Sequence, residues 1–326
     1  PVMKWLAVRP WPLIILKLLV LGVFFLVIAA GLFGSVIAER NFATVLTWNV
    51  WWAGLVIWVF FFSSSWCAVC PWDALATWLV RRSWWRRRQT AGTLNLMVPR
   101  WLRNVWPAFF LFLVLTWLEL GLGITADPYL TALLALAMIV MATLSLSIFK
   151  GKAFCHYFCP VGRTIGFYSQ LSVSELRPIN QDLCADCSTL ECYYGTEEIE
   201  PCHMNLVMGR LQQNTYCTSC GNCSMSCPDH NIAWRLRAPS QGAIEEARPH
   251  WDEAWFMLGL LALTSFHGLT MLPFFEEWIS RVTVMIGSSA PILFSFTIVL
   301  LISLLIPWLL YALSIWLLSL CSVRKI

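Results

Sequence analysis

Charge is what this chain has least of: 12% of its 326 residues are Asp, Glu, Lys or Arg, and 59% are hydrophobic. Soluble domains run at about 25% and about 45–50%. A protein core cannot absorb that excess, so lipid must be part of the solvent. Nucleotide chemistry is not written in: there is neither a G-x-x-x-x-G-K-[ST] loop nor a G-x-G-x-x-G turn after a strand. The five His include no Cys-x-x-Cys-His haem attachment. No Ser/His/Asp grouping stands out. No small-residue cleavage site follows the first apolar run, so a cleaved signal peptide is not expected. What is abundant is Trp, twenty, and Cys, thirteen. Trp collects at membrane–water interfaces. Clustered Cys in a compartment that keeps thiols reduced reads as metal ligation, and the long apolar runs exclude a secreted disulfide scaffold.

Six apolar stretches, at about 12–37, 43–62, 105–125, 129–149, 253–273 and 288–318, reach the roughly 20 residues that a bilayer crossing takes. The last is long enough to tilt or break, with Pro291 and Pro307 as candidate kinks. With the N-terminus inside, Lys4, Arg9, Arg81, Arg82, Arg86, Arg87, Arg88, Arg100, Arg103, Lys150, Lys152, Arg324 and Lys325 all fall on one side. The other side holds only Arg40 and Arg281, beside Asp127, Glu276 and Glu277. The bias predicts a multi-pass protein of a bacterial inner membrane with both termini cytoplasmic. The basic run from Arg81 to Arg88 reads as positive-inside anchoring rather than as a nucleic-acid or anionic-lipid site.

The expected fold class is mainly α: a polytopic helical membrane protein of about six transmembrane helices, carrying an inserted, small two-cluster ferredoxin-like domain. Residues 1–150 form a membrane domain of four spans, 151–250 a cytoplasmic segment, and 251–326 a membrane domain of two spans. The cytoplasmic segment holds ten of the thirteen Cys.

Within it, Cys217-x2-Cys220-x2-Cys223-x3-Cys227-Pro228 has the spacing of the bacterial ferredoxin run. Three Cys on a tight loop wrap one cubane, Gly221 lets the backbone approach, and the fourth Cys ligates the other cluster. Structural zinc takes its Cys in two pairs instead. Upstream lie Cys184, Cys187 and Cys192, then Cys202, which is followed by His203 rather than Pro. The crossed-ligand rule assigns Cys184, Cys187, Cys192 and Cys227 to one 4Fe–4S cluster, and Cys202, Cys217, Cys220 and Cys223 to a second. The ferredoxin-like part covers about 180–240.

Two shorter motifs sit where apolar runs end: Cys67-Ala-Val-Cys70-Pro71 and Cys155-His-Tyr-Phe-Cys159-Pro160. They read as a weak internal repeat of a two-span unit. Pro suits the first position of a helix, and a Cys just before it has its thiolate favoured by the helix dipole. Cys67, Cys70, Cys155 and Cys159 are therefore a candidate third iron–sulfur centre, another metal site or a redox dithiol pair, against four thiols that merely pack. His156 and Tyr157 would tune such a site through hydrogen bonds.

These paired motifs, followed by the Cys217–Cys227 run, resemble the NosR/NapH-type membrane polyferredoxin family over about residues 43–240. Cys155 to Gly162 fits the family motif, and Cys67 to Pro71 is one residue shorter. The resemblance implies electron transfer between a cytoplasmic donor or the quinone pool and a membrane or periplasmic redox partner. Related CcoG-type proteins handle copper, so the alternative is an assembly factor that reduces copper or another metal at the membrane-edge cysteines. A third reading is an electron-transfer subunit of a larger respiratory or dehydrogenase complex, and a fourth is a quinol-linked oxidoreductase. Expected partners are membrane lipid and redox proteins, with quinone open and nucleic acid excluded. Outside the motifs, His267 is a quinone, haem or structural histidine, and Glu119 is either functional by its depth or snorkels to the outer interface. Cys321 reads as packing.

Overall fold

A computed structural model describes residues 9–84, 93–248, 250–287 and 292–323, with side chains of the last helix to Leu320. Lys4, Arg86, Arg87, Arg88, Pro291, Arg324 and Lys325 lie outside the described residues, as does the side chain of Cys321. The chain is mainly helical. Its principal helices are α1 (Trp11–Phe33), α2 (Trp52–Phe62), α3 (Pro71–Arg81), α4 (Trp106–Gly121), α5 (Pro128–Ile148), α6 (Pro160–Tyr168), α7 (Trp251–Thr270), α8 (Phe275–Ile286) and α9 (Ile292–Val323). One two-stranded antiparallel sheet joins β1 (Ser174–Pro178) to β2 (Ile232–Leu236), in a register that pairs Ser174 with Leu236 and Pro178 with Ile232.

Among the described residues four helices are long and apolar enough to cross a membrane, five if one bent pair counts as a span. The expected six crossings change in three places. The run expected at 43–62 continues as a single 40-residue helical stretch to Arg81, because the segment after Ser63 is amphipathic and reads as polar. The run at 105–125 yields the 16-residue α4, opened by Pro107 near its first position. The run at 253–273 becomes α7 followed by α8 at 101°. Pro307 lies inside α9.

Compactness divides the chain otherwise than into three consecutive segments. One unit comprises residues 1–103 and 124–248, the other 104–123 and 249–326. In the first, α1 and α5 approach closely: a Cβ on Gly31 would stand 2.6 Å from the Pro128 carbonyl oxygen. Small residues let helix backbones touch where lipid supplies no hydrophobic drive. Asp127 caps α5 by accepting from the Leu130 N–H at 3.0 Å, with Pro128 in the first turn. Leu19 and Leu26 on α1 are 63% and 60% exposed, a surface that only lipid would cover.

The polar segment is bound into this same unit. The Val173 N–H donates to the Phe60 carbonyl at 2.9 Å, and Ser174 Oγ donates to the Phe61 carbonyl at 2.6 Å. Arg81 at the end of α3 holds Glu200 at 2.8 Å. On the hairpin, the fully buried Glu175 takes Arg235 at 2.5 Å, Arg237 at 3.0 Å and Arg177 at 3.2 Å. A buried carboxylate needs such pairing, since the hydration it has lost must be replaced.

The tightest join is at Gly166 on α6. A Cβ there would lie 2.1 Å from the Thr215 carbonyl oxygen, and that backbone leads directly to Cys217. Gly166→Ala is therefore expected to destabilise this unit by about 1–3 kcal/mol or more. Limited proteolysis should then cut near 210–220 in the variant and not in the parent. Equal protection of both would refute the packing argument.

In the second unit, taken by itself, α4 and α7 interlock through Gly259, whose added Cβ would meet the Phe109 ring at 2.2 Å. Trp117 Nε1 on α4 donates to Thr297 Oγ1 on α9 at 2.8 Å. His267 and Glu119 meet: Nε2 and Oε1 are 3.5 Å apart, and Nδ1 lies 3.2 Å from the Leu263 carbonyl. Glu119 is thus paired with a histidine rather than left to snorkel.

Candidate redox-cofactor sites

The twelve clustered cysteines fall into three groups of four. Cys184, Cys187, Cys192 and Cys227 line one cavity, although Cys227 belongs in sequence to the downstream run. Cys184 begins in a short helix, Gln181–Ala185, whose cap Asn180 accepts from the Asp182 N–H at 2.9 Å. Asn231 ties the halves together. Its backbone N–H points at Cys227 Sγ and its Nδ2 at Cys184 Sγ, both at 3.4 Å. The same Nδ2 donates to the Asn180 carbonyl at 2.7 Å, and Asn231 Oδ1 accepts from the Asn180 N–H at 2.8 Å. Gly209 allows the close approach, because a Cβ there would come within 2.7 Å of Cys184 Cβ.

Cys202, Cys217, Cys220 and Cys223 form the second group, each near enough to feel the others' charge. Gly221 adopts φ +79° just before the short helix Asn222–Ser226, the left-handed conformation that glycine takes without strain. Burial pushes the Cys202 thiol up to about 11, with Cys220 adding to it, and pushes Cys223 well above the ordinary thiol range. Unloaded, Cys202, Cys217 and Cys223 are neutral thiols. Metal loading would release their protons, and the Leu206 N–H, 3.4 Å from Cys202 Sγ, is placed to stabilise the resulting thiolate. His203 is buried, is kept neutral first by that burial and then by the nearby Lys152 and Arg81, and sits 3.4 Å from Glu200.

The third group comprises the paired-motif cysteines. Cys70 and Cys159 occupy the N-cap positions of α3 and α6, with Pro71 and Pro160 opening the helices, as the Cys-Pro spacing predicts. Cys159 Sγ accepts from the Gly162 N–H at 3.3 Å. Cys67 lies in the short helix Trp66–Val69 and Cys155 in the turn Phe154–Phe158. The charge of Cys159 bears on the other three, and that of Cys70 on Cys155. Aromatic rings floor the group: Trp66 lies 5.8 Å and Trp72 6.1 Å from Trp51, between ring centroids. His156 stacks on Tyr157 at 4.1 Å and meets Tyr216 edge-on at 5.3 Å. Burial, with Arg163 beside it, pushes its imidazole down to about 3, so the ring is neutral and acts as a wall.

Sequence reasoning passed over three charged residues here. Asp73 receives Lys152 Nζ at 2.6 Å and lies 3.8 Å from Cys155 Sγ. Arg163 is 1% exposed. Its guanidinium lies over the Tyr216 ring at 4.7 Å, its Nη1 reaches the Thr215 carbonyl at 3.5 Å, and its Nε has no partner among the described residues. Lys17, in the second turn of α1, is 6% exposed. Asp73 and Arg163 follow the Cys-Pro motifs by a helical turn, and Lys17 interrupts an apolar run. Those were the available signals.

Two buried cations with unused donors beside four cysteines suit an anionic cofactor. A cubane held by four thiolates carries net negative charge, so the residues fit it. Among the described residues no three His, Cys, Asp or Glu converge closely enough to hold a single metal ion.

Comparison with known proteins bears on this third group first. A family described as a 4Fe-4S binding domain matches residues 44–90 and again 131–175. Each match contains one paired motif, so the weak internal repeat coincides with two copies of one domain. The class these matches define is that of iron–sulfur electron-transfer proteins. One relative within it is the "Putative electron transport protein YccM" of Escherichia coli (strain K12), 29% identical over 125 residues, which are 37% of this chain and 32% of that protein. The chain thus spans about a third of the length of that relative. No solved structure matches.

Proposed function

We propose that this chain is a membrane electron relay in which three groups of four cysteines hold iron–sulfur centres in series. The observation that carries the reading is the shared cavity of the second and third groups: Cys220 lines the same space as Cys67 and Cys155. The first group adjoins the second, since Cys192 and Cys227 pack against the small core cluster that contains Cys223. It is also the most open, flanked by Leu183 at 50% and Ile179 at 62% exposure. The order is therefore surface, middle, helix ends. When bound, the centres supply outer-sphere one-electron transfer, and the protein supplies spacing, potential and docking.

In this reading Cys184, Cys187, Cys192 and Cys227 hold the centre that meets a soluble redox protein. The Lys and Arg asymmetry supports a cytoplasmic position for that surface, beside a bacterial inner membrane. Cys67, Cys70, Cys155 and Cys159 hold the centre from which electrons pass to or from a membrane or periplasmic partner, or quinone. A relay of this kind fits the likeness to NosR/NapH-type proteins, and the alternative is an electron-transfer subunit of a larger respiratory complex.

The test is the iron and acid-labile sulfide content of anaerobically purified, detergent-solubilised protein. Three cubanes require about twelve of each per chain. About eight would remove the third centre. Zinc in place of iron would overturn the whole relay.

A further inference from the structure

The cavity shared by the second and third cysteine groups contains a charge that nothing in the chain neutralises. Lys17 lines it together with Cys67, Cys155, Cys220, Asp73 and Lys152. The side chain is 6% exposed and belongs to a helix otherwise built of apolar residues and one Pro and Gly pair. Among the described residues its ammonium takes part in no hydrogen bond or salt bridge. The two carboxylates whose charge reaches it are Asp73 and Glu200. Asp73 is already held by Lys152 at 2.6 Å, and Glu200 by Arg81 at 2.8 Å. A buried ammonium that no carboxylate of its own holds is costly, and an ionisable group in a membrane helix usually marks function. Lys17 shares the cavity with Cys220 of the second set and with Cys67 and Cys155 of the third.

We infer that Lys17 is the common counter-charge of the two iron–sulfur centres that flank it, raising the potential of both above that of the outer centre. This rests on the relay proposed above. Each centre gains one electron and no atom is transferred. The added negative charge is met by an ammonium already in place, so reduction there is favoured over reduction at Cys184, Cys187, Cys192 and Cys227, which lie outside the cavity. Lys17 acts through the field it exerts on the centres. It is a positioning residue, touching no reacting atom.

The experiment is an EPR-monitored redox titration of the purified holoprotein and of Lys17→Met and Lys17→Arg. Met keeps the length of the side chain and removes the charge. The expected result is a fall of about tenfold or more in the reduction equilibrium constant of the two flanking centres, which is 59 mV per tenfold for one electron. The outer centre keeps its potential and serves as the internal control, and Lys17→Arg retains the parental values. Unchanged potentials in Lys17→Met, or an equal shift at all three centres, would overturn the inference. If Lys17→Met fails to assemble its iron, Lys17→Gln is titrated in its place and the same comparison decides. Absence of a third centre from the parent protein would defeat the relay reading instead, and the shift at the Cys202 centre would still test Lys17.

Discussion

Cys227→Ala is expected to extinguish the same EPR signal as Cys184→Ala, and not the one lost in Cys223→Ala. Cys227 is four residues from Cys223 and 43 from Cys184, so proximity along the chain predicts the opposite. Space overrides it: Cys227 lines the cavity of Cys184, Cys187 and Cys192, and Asn231 directs one N–H at each end of that pairing. Cys202→Ala should fall with Cys217→Ala and Cys223→Ala. Each variant should lose about four irons, one cubane's worth, and leave the other signals in place. Iron content and EPR of single-site variants decide the matter. Cys227→Ala behaving as Cys223→Ala would dissolve the crossed assignment, and with it the order of the relay.

How far the sequence carries differs from feature to feature, for physical reasons. The Cys217–Cys227 run is legible because a cubane demands its first three ligands within a few residues, and that demand leaves a fixed spacing. Asn231 is illegible because its partners, Cys184 and Asn180, lie 47 and 51 residues away, and nothing local distinguishes it from any asparagine after a turn. Helix caps are local, so Cys70 and Cys159 before proline could be read in advance. Span number could not, because apolarity marks where lipid is tolerated and not where a helix breaks. The run beginning at Trp251 bends by 101° at the short break that contains Pro273, between Thr270 and Phe275. Lys17 was visible as a charge in an apolar run, but its meaning depends on Cys67, Cys155 and Cys220, which only the fold brings to it. The comparisons fall on residues 44–90 and 131–175, where the cysteine pattern is sparser, and not on the denser run that spacing alone picks out.

Cys159→Ser should separate the two roles that the geometry gives this residue. As the N-cap of α6 it accepts the Gly162 N–H at 3.3 Å. Serine keeps that acceptor, since it is among the preferred caps, whereas alanine would cost about 0.5–2 kcal/mol. As an iron ligand a serine hydroxyl is a poor substitute for a thiolate, so the fold should survive while the third centre does not. The expected outcome is loss of about four of about twelve irons, with the signals of the two centres in the polar segment intact and still reducible by dithionite. Electron delivery to a membrane acceptor in proteoliposomes should then stop, although entry at the surface centre continues. A purely structural thiol would leave both iron and delivery unchanged. A dithiol pair would give the same iron content in parent and variant, together with a disulfide that alkylation detects only after reduction. Because Arg163 and Lys17 lie buried beside these cysteines, a variant lacking the centre also leaves two cations without an anion. Its thermal stability should therefore fall more than loss of one cap contact explains, and Lys17→Met introduced into Cys159→Ser should recover part of that loss.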